Sequence, residues 1–346
     1  MEVFSMKNET NRVGGIDLVK STAIFFVISF HFFFNNGFYV EPMEGTEMFI
    51  ATFLNWLFHT CVPLFILTTG YLMRKKGLSK KYYKSLLKVI IAYLIISVIT
   101  LIARKYFFQD EITWKAGIIG LFSFSTNNYS WYVNMYIGLF LLIPFLNVLY
   151  NNLQTKKQKQ ILIISLILLT SLSRTFLLRS FIPDWWNSVY PLTYYFIGAY
   201  LNEYTIKIRK PFLALLVFGV ILAESVLSYY LVNTGKVSFA EYDYSLGYGT
   251  FPTLIVTTCL FLMLYNIEIK NKVSNQILTT ISKITLEIYL ISYLVDRLVY
   301  PYLKEYYFSD SAAMLPYYVL IVPFIFIVSV FLAIIINFIQ RKSIPF

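Results

Sequence analysis

Three ionisable residues share one apolar stretch, "GIDLVKSTAIFFVISFH", which runs from Gly15 to His31. Asp17 and Lys20 open it and His31 closes it, and His31 is one of only two histidines in the chain. On an α-helix, at about 100° per residue, the eleven steps from Lys20 to His31 bring the two side chains within about 20° of each other. Asp17 returns to within about 40° and lies about 21 Å from His31 along the axis. One helix face therefore carries a carboxylate and an ammonium at one end and an imidazole at the other. Asp17 and Lys20, three residues apart, can pair with each other. By themselves they are read equally well as markers of the membrane interface, where a lysine snorkels, and as residues placed by function. His31 has no such ordinary account, because an ionisable ring within the hydrocarbon layer usually faces a polar cavity or a partner. A neutral imidazole held there can accept a proton. This face reads as the wall of a cavity that runs from the cytoplasm toward the outer leaflet.

The elements that would position these groups are membrane helices. The chain has 346 residues, of which 58% are apolar and 14% charged, against about a quarter charged in a soluble domain. Apolar runs near the length of a span recur throughout, which predicts an all-α membrane protein of one bundle. Ten helices are expected, at roughly 16–35, 48–73, 85–107, 131–150, 160–178, 188–203, 211–232, 250–267, 280–300 and 314–340. Residues 1–15 and 341–346 are expected as short tails, and 16–340 as the membrane domain. With the N-terminus inside, 21 of the 29 Lys and Arg fall on the cytoplasmic side, so the positive-inside rule puts both termini in the cytoplasm. The net charge of +11 is thereby explained without nucleic acid. Cys61 and Cys259 both fall in apolar runs and form neither a disulfide framework nor a zinc site. The first apolar run lacks a signal-peptide cleavage pattern and is expected to remain as a span.

Several stretches, in order along the chain, resemble the integral-membrane acyltransferase family 3. Its first helix typically carries Asp, a basic residue and an outer His, the slots held here by Asp17, Lys20 and His31. "VPLFILTTGYLM" (Val62 to Met73), "SWYVNMYIGLFLLIPFL" (Ser130 to Leu146) and "ISKITLEIYLI" (Ile281 to Ile291) are similar to three further family segments. Lys20 replaces the usual Arg, keeping the charge without the bidentate fork, and Ser292 stands where the family's late His is common. The resemblance implies acyl transfer, usually of acetyl, from acyl-CoA in the cytoplasm to a hydroxyl of an extracytoplasmic envelope or capsular glycan. It implies a multi-pass protein of a bacterial cytoplasmic membrane, with the lipid bilayer, acetyl-CoA and the glycan as partners. Lys20, Arg74, Lys84 and Lys88 are then candidate contacts to the donor's phosphates, although the positive-inside rule alone accounts for the last three. Trp131 and Tyr132 are expected at the substrate. So are Tyr242 and Tyr244, in the loop "EYDYSLGYGT", which alternates ring faces with acids beyond what an interfacial belt requires.

His31 is then a general base on the acceptor hydroxyl or a nucleophile that briefly carries the acyl group; the base is favoured. Its other ring nitrogen needs a partner. Glu224 and Asp296 both lie near its depth, and Glu224 is ranked first because Asp296 can pair with its neighbour Arg297. His59 is expected at mid-membrane, bonding a carbonyl of a neighbouring helix. No metal is expected, since two histidines without placed carboxylates do not make a site. The rival function is a transporter or flippase of a polysaccharide or lipid-linked sugar, against which stands the lack of an inverted repeat. A third is a structural subunit of an envelope complex, in which His31 would be replaceable. Composition and spacing indicate no oligomeric state.

Overall fold

The computed structural model describes residues 14–40, 44–172, 182–235 and 247–343. Tyr242 and Tyr244 lie outside the described residues. The regular structure described is helical. The first helix, α1 (Gly14–Asn36), is followed by α2 (Gly45–Phe58) and α3 (Cys61–Met73), then by α4 (Lys80–Ile102), which runs on into a π-helical turn, Ala103–Phe107. A short α5 (Trp114–Phe122) precedes α6 (Trp131–Asn152) and α7 (Lys156–Thr170). Next come α8 (Tyr190–Glu203), α9 (Lys210–Asn233), α10 (Phe251–Leu264), α11 (Lys272–Lys283) and α12 (Thr285–Tyr306). A single turn, α13 (Ser311–Met314), leads into α14 (Tyr318–Ser343).

Local chemistry sets many of these boundaries. Ser79 accepts a hydrogen bond from Tyr82 N at the start of α4, and Asn271 accepts one from Ser274 N at the start of α11. Thr155 and Gln158 form a reciprocal capping box on α7. Between α2 and α3 the helix is interrupted at His59 and Thr60, and the His59 ring bonds the Asn55 carbonyl at 3.0 Å. That carbonyl belongs to the preceding turn, not to a neighbouring helix as the sequence suggested.

Six helical runs among the described residues are long and apolar enough to cross a membrane, and a seventh forms if α11 and α12, bent by 75°, count as one span. The protein is thus a multi-pass membrane protein. Three of the ten expected spans are shorter helices here: α7 has 15 residues, α8 has 14 and α10 has 14. A 14-residue helix reaches only about 21 Å, short of a hydrocarbon core of about 30 Å. Most of α8 is buried by protein. Hydropathy alone does not separate such a core helix from a span.

α1 is central, packing against α2, α3, α10, α11, α12 and α14. α3 and α8 pack closely against each other. A Cβ added at Gly198 would lie 2.0 Å from the Leu67 carbonyl oxygen, and one at Gly70 would lie 2.0 Å from that of Tyr195. Small residues let the two backbones touch, as is common where helices pack in lipid. Gly198→Ala should therefore lower stability by about 1–3 kcal/mol through overpacking. Gly219→Ala on α9, where nothing lies within 4 Å of the added carbon, should be neutral or slightly stabilising. Thermal unfolding in detergent compares the two, and equal melting temperatures would contradict the close approach.

Candidate active site

Two cavities lie in the bundle, end to end along α1. The one beside the first half of α1, called inner for its place along that helix, has a volume of about 230 Å³ and is lined by Lys20, Val27, Thr68, Thr69, Tyr132 and Tyr136 among others. The outer one, of about 760 Å³, is lined by His31, His59, Cys61, Tyr129, Trp131 and Asp296 among others. Val27, Val62 and Tyr289 belong to both linings, so the cavities meet there. Lys20, Val27 and His31 follow one another along a single face of α1, as the helical period requires. Trp131 and Tyr132, adjacent in sequence, face different cavities.

His31 is 6% exposed. Its Nδ1 lies 3.7 Å from Asp296 Oδ2, and among the described residues no hydrogen-bond partner satisfies that nitrogen. The ring stacks on Tyr129, with centroids 3.7 Å apart and planes 25° apart. The Tyr129 hydroxyl donates to Asp296 Oδ2 at 2.6 Å and accepts from Asn35 Nδ2 at 3.4 Å. Asn35 in turn donates to the His31 carbonyl at 2.8 Å. Three elements thus converge: α1 supplies His31 and Asn35, the turn before α6 supplies Tyr129, and α12 supplies Asp296. The 3.7 Å gap is longer than a hydrogen bond. A shift below ~1 Å would close it, the kind of tightening seen when a substrate binds. With Nδ1 turned to Asp296, Nε2 is the nitrogen left to face the cavity.

The carboxylate beside His31 is therefore Asp296 and not Glu224. Glu224 lies half-buried on α9, outside the cavity lining, and its carbonyl accepts from Ser228. Asp296 is available because Arg297, the next residue, projects about 100° around the helix and bonds Asp110 through both terminal nitrogens, at 2.7 and 2.9 Å. Arg104 Nε also donates to Asp110, at 2.7 Å. The bend at Asp110 includes Gln109 at φ 55°, a left-handed conformation that a non-glycine residue adopts only when its surroundings hold it. Arg104 further holds the Thr126 carbonyl, and Asn127 holds that of Leu290. The segment that delivers Tyr129 is thus pinned at both sides.

The two arginines, Arg297 foremost, hold the Asp110 carboxyl down at about 2. A depressed carboxyl adds stability that is complete above its ordinary range, near 3.8, and fades as pH falls toward the folded value. The loss of melting temperature in Asp110→Asn relative to the parent protein should accordingly be constant from pH 7 to about pH 4 and shrink below that. A gap already closing near pH 6 would contradict the double pairing.

At the other end of the face, Asp17 accepts from Thr279 at 2.9 Å, and the Lys20 ammonium donates to the Ser282 carbonyl. Both contacts tie α1 to α11. Among the described residues that line the inner cavity, Lys20 is the one that carries charge. Arg74 does not face that cavity; its Nη2 lies 3.5 Å from Glu203, which also accepts from Lys159 at 2.7 Å. Lys84 and Lys88 are exposed on α4, Lys88 next to Val89 of the lining. Trp131 stacks on Tyr248 in the outer cavity, 5.6 Å between centroids. Sequence reasoning missed Tyr129, Asn35 and Tyr289, and no local spacing marked them.

A buried imidazole with a facing carboxylate, lining the outer of two cavities that meet inside a membrane bundle, is an arrangement that can take a proton from a group entering that cavity. The family model described as an acyltransferase domain matches residues 13–336. The chain therefore belongs to the integral-membrane acyltransferase family 3. No curated protein and no solved structure matches it.

Proposed function

We propose that the protein is an O-acetyltransferase that takes acetyl from cytoplasmic acetyl-CoA and delivers it to a hydroxyl of an extracytoplasmic envelope or capsular glycan, in a bacterial cytoplasmic membrane with both termini inside. The observation that carries this reading is the pair of joined cavities, with Lys20 in the inner one and His31 in the outer. A largely apolar inner passage suits the pantetheine arm of a donor whose phosphates stay at the basic end, with Lys20 as the nearest charge. Lys84 and Lys88 are the remaining candidates for those phosphates. The thioester then lies near Val62 and Tyr289, within reach of the outer cavity. Trp131 and Tyr248 offer ring faces to a sugar there.

His31 Nε2 takes the proton of the acceptor hydroxyl as its oxygen attacks the thioester carbonyl. The C–S bond breaks, the coenzyme leaves as thiolate, and the proton on His31 passes to it or to water. Asp296 holds the ring through Nδ1 and balances the imidazolium that forms. The buried, aromatic walls exclude water that would otherwise hydrolyse the thioester.

The test is transfer of labelled acetyl from acetyl-CoA to envelope polysaccharide in membrane vesicles that carry the protein. Label that reaches polysaccharide only when the protein is present supports the reading. No transfer, with polymer export altered instead, would replace it with transport.

A further inference from the structure

A second feature lies away from both cavities. Between α7, α8, α9 and α10 runs an open groove of about 630 Å³. Its floor is buried and apolar, including Ile197 and Leu201 of α8, Leu213 of α9 and Leu262 of α10. Its rims, Ile164 and Phe212, are 55% and 58% exposed. At one end Gln160 donates to the Tyr200 hydroxyl at 3.0 Å. From that end Ile206 and Ile208 line the groove, and Lys207, Arg209 and Lys210 alternate with or follow them, all exposed. The nearby acid, Glu203, is already neutralised by Lys159 and Arg74. Lys156 and Lys157, also exposed, add charge at the same end.

We propose that this groove holds an acyl chain of an anionic diacyl phospholipid whose phosphate is bound by Lys207, Arg209 and Lys210. Three observations select that occupant. Apart from Gln160, Tyr200 and Thr258 the described lining is apolar, and the groove opens between the exposed apolar residues Ile164 of α7 and Phe212 of α9, so a hydrocarbon chain entering it meets mostly apolar surface. Among the described residues around it, cations crowd the Gln160 end, which matches a headgroup with a single negative phosphate region. The short helix α8 forms the floor, and since it packs backbone to backbone on α3, a chain laid over Ile197 and Leu201 completes the packing of the wall behind the inner cavity. A basic or neutral peptide would meet the wrong charge at the rim. The inference is independent of the acyl-transfer reading and concerns the resting stability of the fold.

The experiment is thermal unfolding of the full chain in mild detergent, with phosphatidylglycerol or phosphatidylcholine of the same chains added. Phosphatidylglycerol should raise the melting temperature by several degrees more than phosphatidylcholine. In the triple variant Lys207→Gln/Arg209→Gln/Lys210→Gln, binding should weaken on the order of 10²-fold, and the preference for the anionic lipid should vanish. Those three side chains are exposed, so folding is not at issue. Thr258→Trp, which fills the groove from α10, should abolish the response to both lipids while leaving the melting temperature in detergent alone unchanged or higher. Equal stabilisation by the two lipids, or a triple variant that keeps the full preference, would overturn the proposal. So would dimerisation that Thr258→Trp removes, since a second copy of the chain would then be the occupant.

Discussion

His31→Ala should lower acetyl transfer by about 10²–10⁴-fold, the range expected when a positioned general base is removed. Size-exclusion behaviour in detergent should be unchanged, because the lost ring faces a cavity and not a packed core. The ring nevertheless stacks on Tyr129, so a modest fall in melting temperature is expected. The kinetic form of the defect matters. If His31 acts only on the proton of the acceptor hydroxyl, KM for acetyl-CoA should stay within a few-fold and kcat should carry the loss. No label should remain on the parent protein when it is incubated with labelled acetyl-CoA without acceptor. Label retained on the parent and absent from His31→Ala would move the residue from base to acyl carrier. Transfer undiminished in the variant would remove His31 from the chemistry altogether.

The second large effect separates two carboxylates at similar depth. Asp296→Asn should cost on the order of 10²-fold in kcat, because an amide can neither balance an imidazolium nor fix the ring's tautomer. Glu224→Gln should leave kcat within two- to three-fold, since Glu224 stands outside the cavity lining. The size of the Asp296 effect also reflects its company. Tyr129 donates to the same oxygen that lies nearest His31, and Asp296 Oδ1 is buried without a partner among the described residues. An asparagine there keeps an oxygen for that shared position only by burying its NH2 group at the Oδ1 position, and it brings no charge to balance an imidazolium. Equal kcat losses in the two variants, or a loss confined to Glu224→Gln, would contradict the arrangement.

The two variants also mark how far local sequence reaches. The shared face of Lys20 and His31 was legible from spacing, because helical periodicity is a property of one segment and needs no neighbour. The same holds for the membrane class, read from apolar runs, and for the family, read from ordered segments on α1, α3, α6 and α12. The count of spans was less legible. A buried helix such as α8 and a lipid-facing helix of equal hydropathy look alike until packing shows which one protein covers.

What spacing along the chain determined, then, was the set of groups carried by one face of α1: an imidazole at one end and charge at the other. Tertiary structure decided who completes it. Asp296 was placed behind Glu224 in the sequence reading because Arg297 is its neighbour, yet adjacent residues on a helix point about 100° apart, and Arg297 turns to Asp110 on another segment. Arg74 looked like a phosphate contact and instead faces Glu203 of α8. Tyr129 carried no signal at all, since a tyrosine in a polar turn becomes a partner of His31 only when Arg104 and Asn127 anchor that turn over α12. Each of these depends on which helix lies beside which, and long-range packing sets that where local periodicity cannot.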